Sequence, residues 1–134
     1  MLEQLTSRLD TFSSSLQLRS ARQQVLASNI ANVDTPGYVA RDIDFGAALQ
    51  NAMSGQTGLR LGHSDARHLT VTSTEGLIGS PLAYTVQTQP SLDGNSVDLD
   101  QQRANFTDNA IRYESTLRFI NGHVKTMLSA ITGQ

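Results

Sequence analysis

Two long stretches of apolar residues, one near each end of the chain, repeat at alternating intervals of three and four. In the first stretch, where Arg19 and Gln23 interrupt the pattern, these residues are Leu2, Leu5, Leu9, Phe12, Leu16, Leu26, Ile30 and Val33. In the second, where Arg103 interrupts it, they are Leu99, Phe106, Ala110, Tyr113, Leu117, Ile120, Val124, Met127 and Ile131. This spacing places side chains on one face of a helix. It predicts a mainly α fold, in which long N- and C-terminal amphipathic helices over 2–33 and 99–131 form a coiled-coil-like layer.

Local signals mark where these helices begin and end. Asp98, with Gln101 three residues later, has the pattern of an N-cap and its capping-box partner. Residues 35–38, Thr-Pro-Gly-Tyr, place proline and glycine at the second and third positions of a four-residue turn. That order is typical of a type II turn, because glycine adopts the positive φ of the third position. We expect the first helix to end before this turn.

The residues between the helices predict a small mixed region. Helical spacing recurs in Phe45, Ala48, Leu49, Ala52 and Met53. This set follows Asp42 and Asp44 and predicts one short helix. Alternation of apolar and polar residues in 69–72 and 82–86, with a weaker signal at 59–61, predicts short strands or extended segments.

The length of 134 residues is the usual size of one domain. We therefore expect one structural unit with an N-terminal helix (1–33), a middle region (34–97) and a C-terminal helix (98–134).

A net charge of −2 and a single lysine, Lys125, leave no dense basic face, so nucleic acid and anionic lipid are not expected partners. The N-terminus lacks the pattern of a cleaved signal peptide, and the absence of cysteine excludes disulfides and thiolate metal sites.

Periodicity alone leaves open whether the two apolar stripes face each other within one chain. Away from its stripe, the first helix is rich in Ser and Gln, carries few charges, and includes Leu18, Ala21 and Val25. Depletion of charge is typical of the buried core of a protein interface. This composition predicts that other protein surrounds both helices and that the stripes pack between subunits as well as within one.

Candidate catalytic and metal-binding residues are few. The spacing of His63, Asp65 and His68 does not match a helical metal-binding motif, and a polar loop is the expected interpretation. His123 is expected to be a polar surface or packing residue. Because nucleophile-elbow and phosphate-loop motifs are also missing from the sequence, we expect no enzyme activity, no cofactor, no metal and no small-molecule substrate.

One segment has a more specific pattern. Residues 28–38, Ser-Asn-Ile-Ala-Asn-Val-Asp-Thr-Pro-Gly-Tyr, resemble the signature shared by the axial proteins of the bacterial flagellum. The continuation in residues 40–45, together with residues 64–68 and 90–100, resembles the FlgB family of proximal rod proteins. The resemblance covers nearly the whole chain.

The resemblance implies a structural subunit of the flagellar basal-body rod, exported unfolded through the type III apparatus without a cleaved signal peptide. Such a subunit polymerises helically at the proximal end of the rod, within the periplasm, and the rod transmits torque through the cell envelope. The implied partners are further copies, other rod proteins, a FliE-type adaptor with the MS ring, and the export gate. A coiled-coil adaptor or chaperone-like binding module remains the alternative.

The predicted subunit interface draws on both apolar stripes and on the turn. Its residues are Leu9, Phe12, Leu16, Leu26, Asn29, Ile30, Asn32, Pro36, Gly37, Tyr38, Phe106, Tyr113, Leu117, Ile120, Val124 and Met127. Two roles are possible for the polar side chains of Asn29, Asn32 and Asp34: they cap the end of the helix locally, or they bond to a neighbouring subunit. Tyr38 is expected to be a packing residue.

Overall fold

The computed structural model describes residues 2–54, 82–84 and 92–133. In chain order its elements are α1 (Leu2–Ala31), β1 (Arg41–Ile43), α2 (Phe45–Met53), β2 (Leu82–Tyr84) and α3 (Leu99–Thr132). The predicted fold class is confirmed: two long terminal helices contact each other, with short elements between them.

Helices α1 and α3 form an antiparallel hairpin. Asn29, near the end of α1, bonds to Gln102 near the start of α3, and Phe12 lies edge-on to His123 near the other end of α3, with ring centroids 6.4 Å apart. The predicted N-cap of α3 is confirmed, because the Asp98 carboxylate accepts from the backbone N–H of Asp100 and Gln101.

Two details differ from the prediction at the helix ends. The Gln101 side chain donates to Asn105 Oδ1 at 3.1 Å and does not reach back to the cap, so the capping-box half of the prediction is wrong. Helix α1 ends at Ala31, two residues earlier than expected. The turn that follows has the expected form: Gly37 has a φ of 70°, and Tyr38 N–H donates to the Thr35 carbonyl at 3.3 Å.

The middle region contains one short helix and a two-stranded sheet. Helix α2 has the predicted bounds, and its N-cap, Asp44, accepts from Ala47 N–H at 3.1 Å. Strand β1, which no sequence pattern predicted, pairs antiparallel with β2. Strand β2 confirms part of the predicted 82–86 strand, whereas the segments 59–61 and 69–72 lie outside the described residues.

A small apolar core joins α1 to β1 and α2. Leu18, Ile43 and Ala48 are buried in it. Four partly buried residues surround them: Ala21, Val25, Phe45 and Leu49. The off-stripe apolar residues of α1 therefore pack against their own chain. The reason is that α2 is itself apolar on one side and lies against this second face of α1.

Candidate functional site

The end of α1, the turn after it and the segment before α3 meet at one place, which we call the junction (residues 29–41 and 93–102). Gly37 N–H donates to the Asp93 carbonyl at 2.9 Å, and Ser96 N–H donates to the Tyr38 carbonyl at 3.0 Å. The Ser96 hydroxyl accepts from Ala40 N–H at 2.7 Å. Two segments that are more than 50 residues apart in sequence are thus bonded side by side.

Asn29 lies at the centre of the junction and is fully buried. Its Nδ2 donates to the Arg41 carbonyl at 2.6 Å and to Gln102 Oε1 at 3.0 Å. Its Oδ1 accepts from Arg41 N–H at 3.2 Å and from the Tyr38 hydroxyl at 3.3 Å. Because a side-chain amide has two donors and two acceptor positions, these four bonds use its full capacity. Asn29 therefore bonds β1 and α3 of its own chain, which neither of the two alternatives foresaw.

Two further asparagines complete the end of α1. Asn32 donates to the Ser28 carbonyl at 2.8 Å and accepts from the Thr35 hydroxyl, which is the local capping role. Asn95 Nδ2 lies 3.0, 2.7 and 2.9 Å from the carbonyl oxygens of Asn32, Val33 and Thr35. These carbonyls belong to the turn that follows α1, so Asn95 holds this turn from a distant part of the sequence.

A second pair of amides lies farther along the hairpin. Asn109 Nδ2 donates to Gln23 Oε1 at 2.6 Å and to the Arg19 carbonyl at 2.9 Å. Asn109 and Gln102 are 0% and 3% exposed. Buried polar pairs of this kind fix helix register, since a shift would break the bonds that the Asn109 Nδ2 donates. Gln23, which interrupts the apolar stripe, is thus part of the contact that aligns α1 with α3.

The apolar stripe of α3 only partly coincides with its contact face. Gln102 and Asn109, seven residues apart, face α1. At 100° per residue the stripe is centred about 40° away from this face, and Phe106, Ile120 and Met127 are half-buried. Five of its members are exposed to solvent: Ala110, Tyr113, Leu117, Val124 and Ile131. The seven-residue recurrence of Gln102 and Asn109 is the sequence signal that would have located the contact face.

The predicted interface residues fall into three groups by burial. Leu26 and Asn29 are completely buried within the chain. Half-buried are Leu9, Phe12, Leu16, Ile30, Asn32, Tyr38, Phe106, Ile120 and Met127. Exposed are Pro36, Gly37, Tyr113, Leu117 and Val124. Only the second and third groups have surface left for another subunit, and their role in an interface stays a prediction.

Charged residues connect α1 to the middle region. The guanidinium of Arg22 makes a two-point contact with the Asp42 carboxylate, with both N···O distances 2.8 Å. This contact raises the pKa of Arg22 above its ordinary value. One turn earlier, the guanidinium carbon of Arg19 lies 4.2 Å from the ring centroid of Phe45. Arg19 thus packs on α2 through a cation–π contact.

The described residues contain no group of three His, Asp or Glu side chains that could hold a metal ion. His63, Asp65 and His68 lie outside those residues. His123 packs against Phe12, in agreement with the expected packing role. None of the helices in the described part of the chain combines the length and apolarity of a membrane span.

Comparison with known proteins adds family information. The model of the family described as flagella basal body rod protein matches residues 9–38, which include most of α1 and the turn. The flagellar basal body rod protein FlgB of Proteus mirabilis strain HI4320 is 42% identical over 98% of both chains.

Two other relatives carry the same name. The protein of Escherichia coli strain K12 is 42% identical, over 98% of this chain and 97% of its own. The protein of Salmonella typhimurium is 39% identical over 99% of both chains. With this identity extending over the entire hairpin and junction, the chain belongs to the FlgB family of flagellar basal body rod proteins.

Proposed function

We propose that this chain is a subunit that polymerises helically with further copies at the proximal end of the flagellar rod. Its family is one of structural rod proteins and not of enzymes. The observation that carries the proposal is an apolar surface left uncovered on a hairpin whose junction is bonded within its own chain.

The uncovered surface lies on the second half of α3. Leu117, Val124, Leu128 and Ile131 are 38%, 47%, 58% and 79% exposed, and we call them the α3 strip. At 100° per residue these four side chains lie within roughly 60° of one another. A continuous apolar surface of this kind marks a site of protein association.

The geometry of the chain favours an open polymer. The α3 strip is apolar, whereas the junction at the other end of the hairpin presents turns and polar side chains. Contacts between unlike faces of identical subunits generate a helix when they do not close into a ring. Association through the α3 strip with a different face of the next copy would therefore extend a rod.

The specific binding partners are proposed from the family resemblance. We propose that the polymer contacts other rod proteins, a FliE-type adaptor with the MS ring, and, during export, the type III export gate. We place the assembled subunit in the periplasmic part of the basal body, where the rod transmits torque.

The α3 strip can be tested with a matched pair of substitutions. Val124→Asp adds a carboxylate inside the strip, and Thr126→Asp adds the same charge on the opposite side of α3. In cells that lack their own copy, we expect Val124→Asp to be absent from purified basal bodies and to abolish swimming, because a buried unpaired carboxylate costs several kcal/mol. Thr126→Asp should be incorporated.

Incorporation of Val124→Asp at the level of the unsubstituted chain would contradict the role of the α3 strip. If the unsubstituted chain itself is absent from basal bodies and stays a monomer or dimer, the adaptor alternative is favoured.

A further inference from the structure

Arg19 occupies a position where the apolar stripe of α1 predicts a hydrophobic residue, and it forms no ion pair with a carboxylate among the described residues. One face of its guanidinium stacks on the Phe45 ring at 4.2 Å. Its Nε is buried and has no hydrogen-bond partner. A half-buried guanidinium without a hydrogen-bonded carboxylate is costly to retain.

The nearby carboxylates are already engaged. Asp42 holds Arg22 through two contacts of 2.8 Å, and Asp108 holds Arg112 at 2.8 Å. Burial, together with repulsion from Arg112 and Arg22, lowers the pKa of Arg19, and Asp108 offsets part of this effect. The cluster therefore contains three guanidinium groups and two carboxylates.

The position of Arg19 suits an incoming carboxylate. Stacking on Phe45 uses the flat face of the guanidinium and restricts its rotamers, which lowers the entropy lost on binding. Because Nε is buried, the incoming carboxylate would pair through the two terminal nitrogens of the guanidinium, whose spacing matches the two carboxylate oxygens. Arg19 lies where α1, α2 and α3 meet, on the side of the hairpin away from the α3 strip.

The chain itself carries carboxylates of the required kind. Asp10, Asp34 and Asp100 are exposed, and their side chains make no bond within the described residues. We propose that Arg19 receives one of these carboxylates from a second copy of this chain, an inference that rests on the rod-subunit function proposed above. The contact would join the α2 side of one subunit to the next.

The first test separates charge from packing. Arg19→Met retains an unbranched side chain over Phe45 and removes the charge, and Arg118→Met removes an exposed guanidinium elsewhere on the hairpin. By sedimentation velocity of the purified chain, we expect Arg19→Met to weaken self-association about five- to thirtyfold. Its melting temperature should not fall, because repulsion with Arg112 and Arg22 is removed. Arg118→Met should associate like the unsubstituted chain.

The second test identifies the partner carboxylate. Arg19→Glu should block association, and mixing it with a copy that carries Asp10→Lys, Asp34→Lys or Asp100→Lys should restore association for one of the three. Restoration by none of them would overturn the proposal.

Association of Arg19→Met equal to that of the unsubstituted chain would overturn this inference alone. Failure of the unsubstituted chain to associate or to enter the rod would overturn both this inference and the proposed function.

Discussion

The junction and the outer half of the hairpin (residues 6–16 of α1 and 113–132 of α3) are built from opposite kinds of contact. In the junction, Asn29 and Asn95 are buried and hydrogen-bonded to other parts of the chain. In the outer half, Phe12 and His123 are half-buried and most apolar side chains of α3 stay exposed. The buried amides of the junction thus find their hydrogen-bond partners within one subunit, whereas the outer half leaves apolar surface available for contacts with another subunit.

This difference separates folding from assembly within a single hairpin. Buried amides in the junction specify one arrangement of the helices, because any other leaves polar groups unsatisfied. The exposed apolar surface of the outer half adds little to the stability of one chain but can stabilise contacts with another.

The largest change in the free energy of unfolding is expected for a substitution at Leu26, which is 0% exposed. Leu26→Asp removes an apolar side chain and buries an unpaired carboxylate, so it should lower the free energy of unfolding by about 4 kcal/mol or more. Leu26→Met conserves volume and should change it by less than about 1.5 kcal/mol. Urea unfolding followed by circular dichroism measures both. Normal stability of Leu26→Asp would show that the hairpin is not closed in the monomer.

The two regions should also differ in amide hydrogen exchange. In a verified monomer, amides of residues 23–31 and 102–109 should exchange about a thousandfold more slowly than those of residues 6–15 and 117–130, because lightly packed helix ends open locally at low cost. Uniform protection along both helices would remove the distinction between the junction and the outer half.

Asn29→Leu should destabilise the chain by about 3 kcal/mol, since it leaves the Arg41 peptide groups and Gln102 without their partner. Asn32→Leu removes only local bonds and should cost about 1 kcal/mol. Thermal unfolding of the two variants provides the measurement. Equal losses would show that Asn29 acts only as a helix cap.

Gly37 has a φ of 70°, and the space into which a side chain would project is open, so the strain of a substitution comes from the backbone alone. Gly37→Val should cost about 1 to 3 kcal/mol and reduce rod assembly. Gly122→Val, in open space within α3, should change stability by less than about 0.5 kcal/mol. Normal swimming of cells with Gly37→Val would contradict the role assigned to the turn.

The smallest change in stability is expected in the outer half. Leu128 is 58% exposed, and Leu128→Gln keeps a good helix former, so the free energy of unfolding should change by about 0.5 kcal/mol or less. Incorporation into basal bodies should nevertheless fall. A loss of stability as large as that of Asn29→Leu would show that the outer half is packed within one chain.

The secondary-structure elements of this protein were predictable where the residues that specify them are close to the element in sequence. Asp44 and Asp98 cap the helices that directly follow them, and Gly37 supplies the positive φ of the turn within four residues. The short helix after Asp44 follows from its own apolar spacing. Strand β1 was missed because its three residues have no pattern of their own and depend on pairing with β2.

The two amphipathic helices, their N-caps and the turn follow from local sequence, because each depends on residues within one or two helical turns. The face of α3 that contacts α1, and the hydrogen-bond partners of Asn29 and Asn95, depend instead on how the chain folds. The partners of these amides lie 73 and 63 residues away. Periodicity records which residues share a face, but a polar side chain's hydrogen-bond partner depends on which distant segment the fold brings beside it.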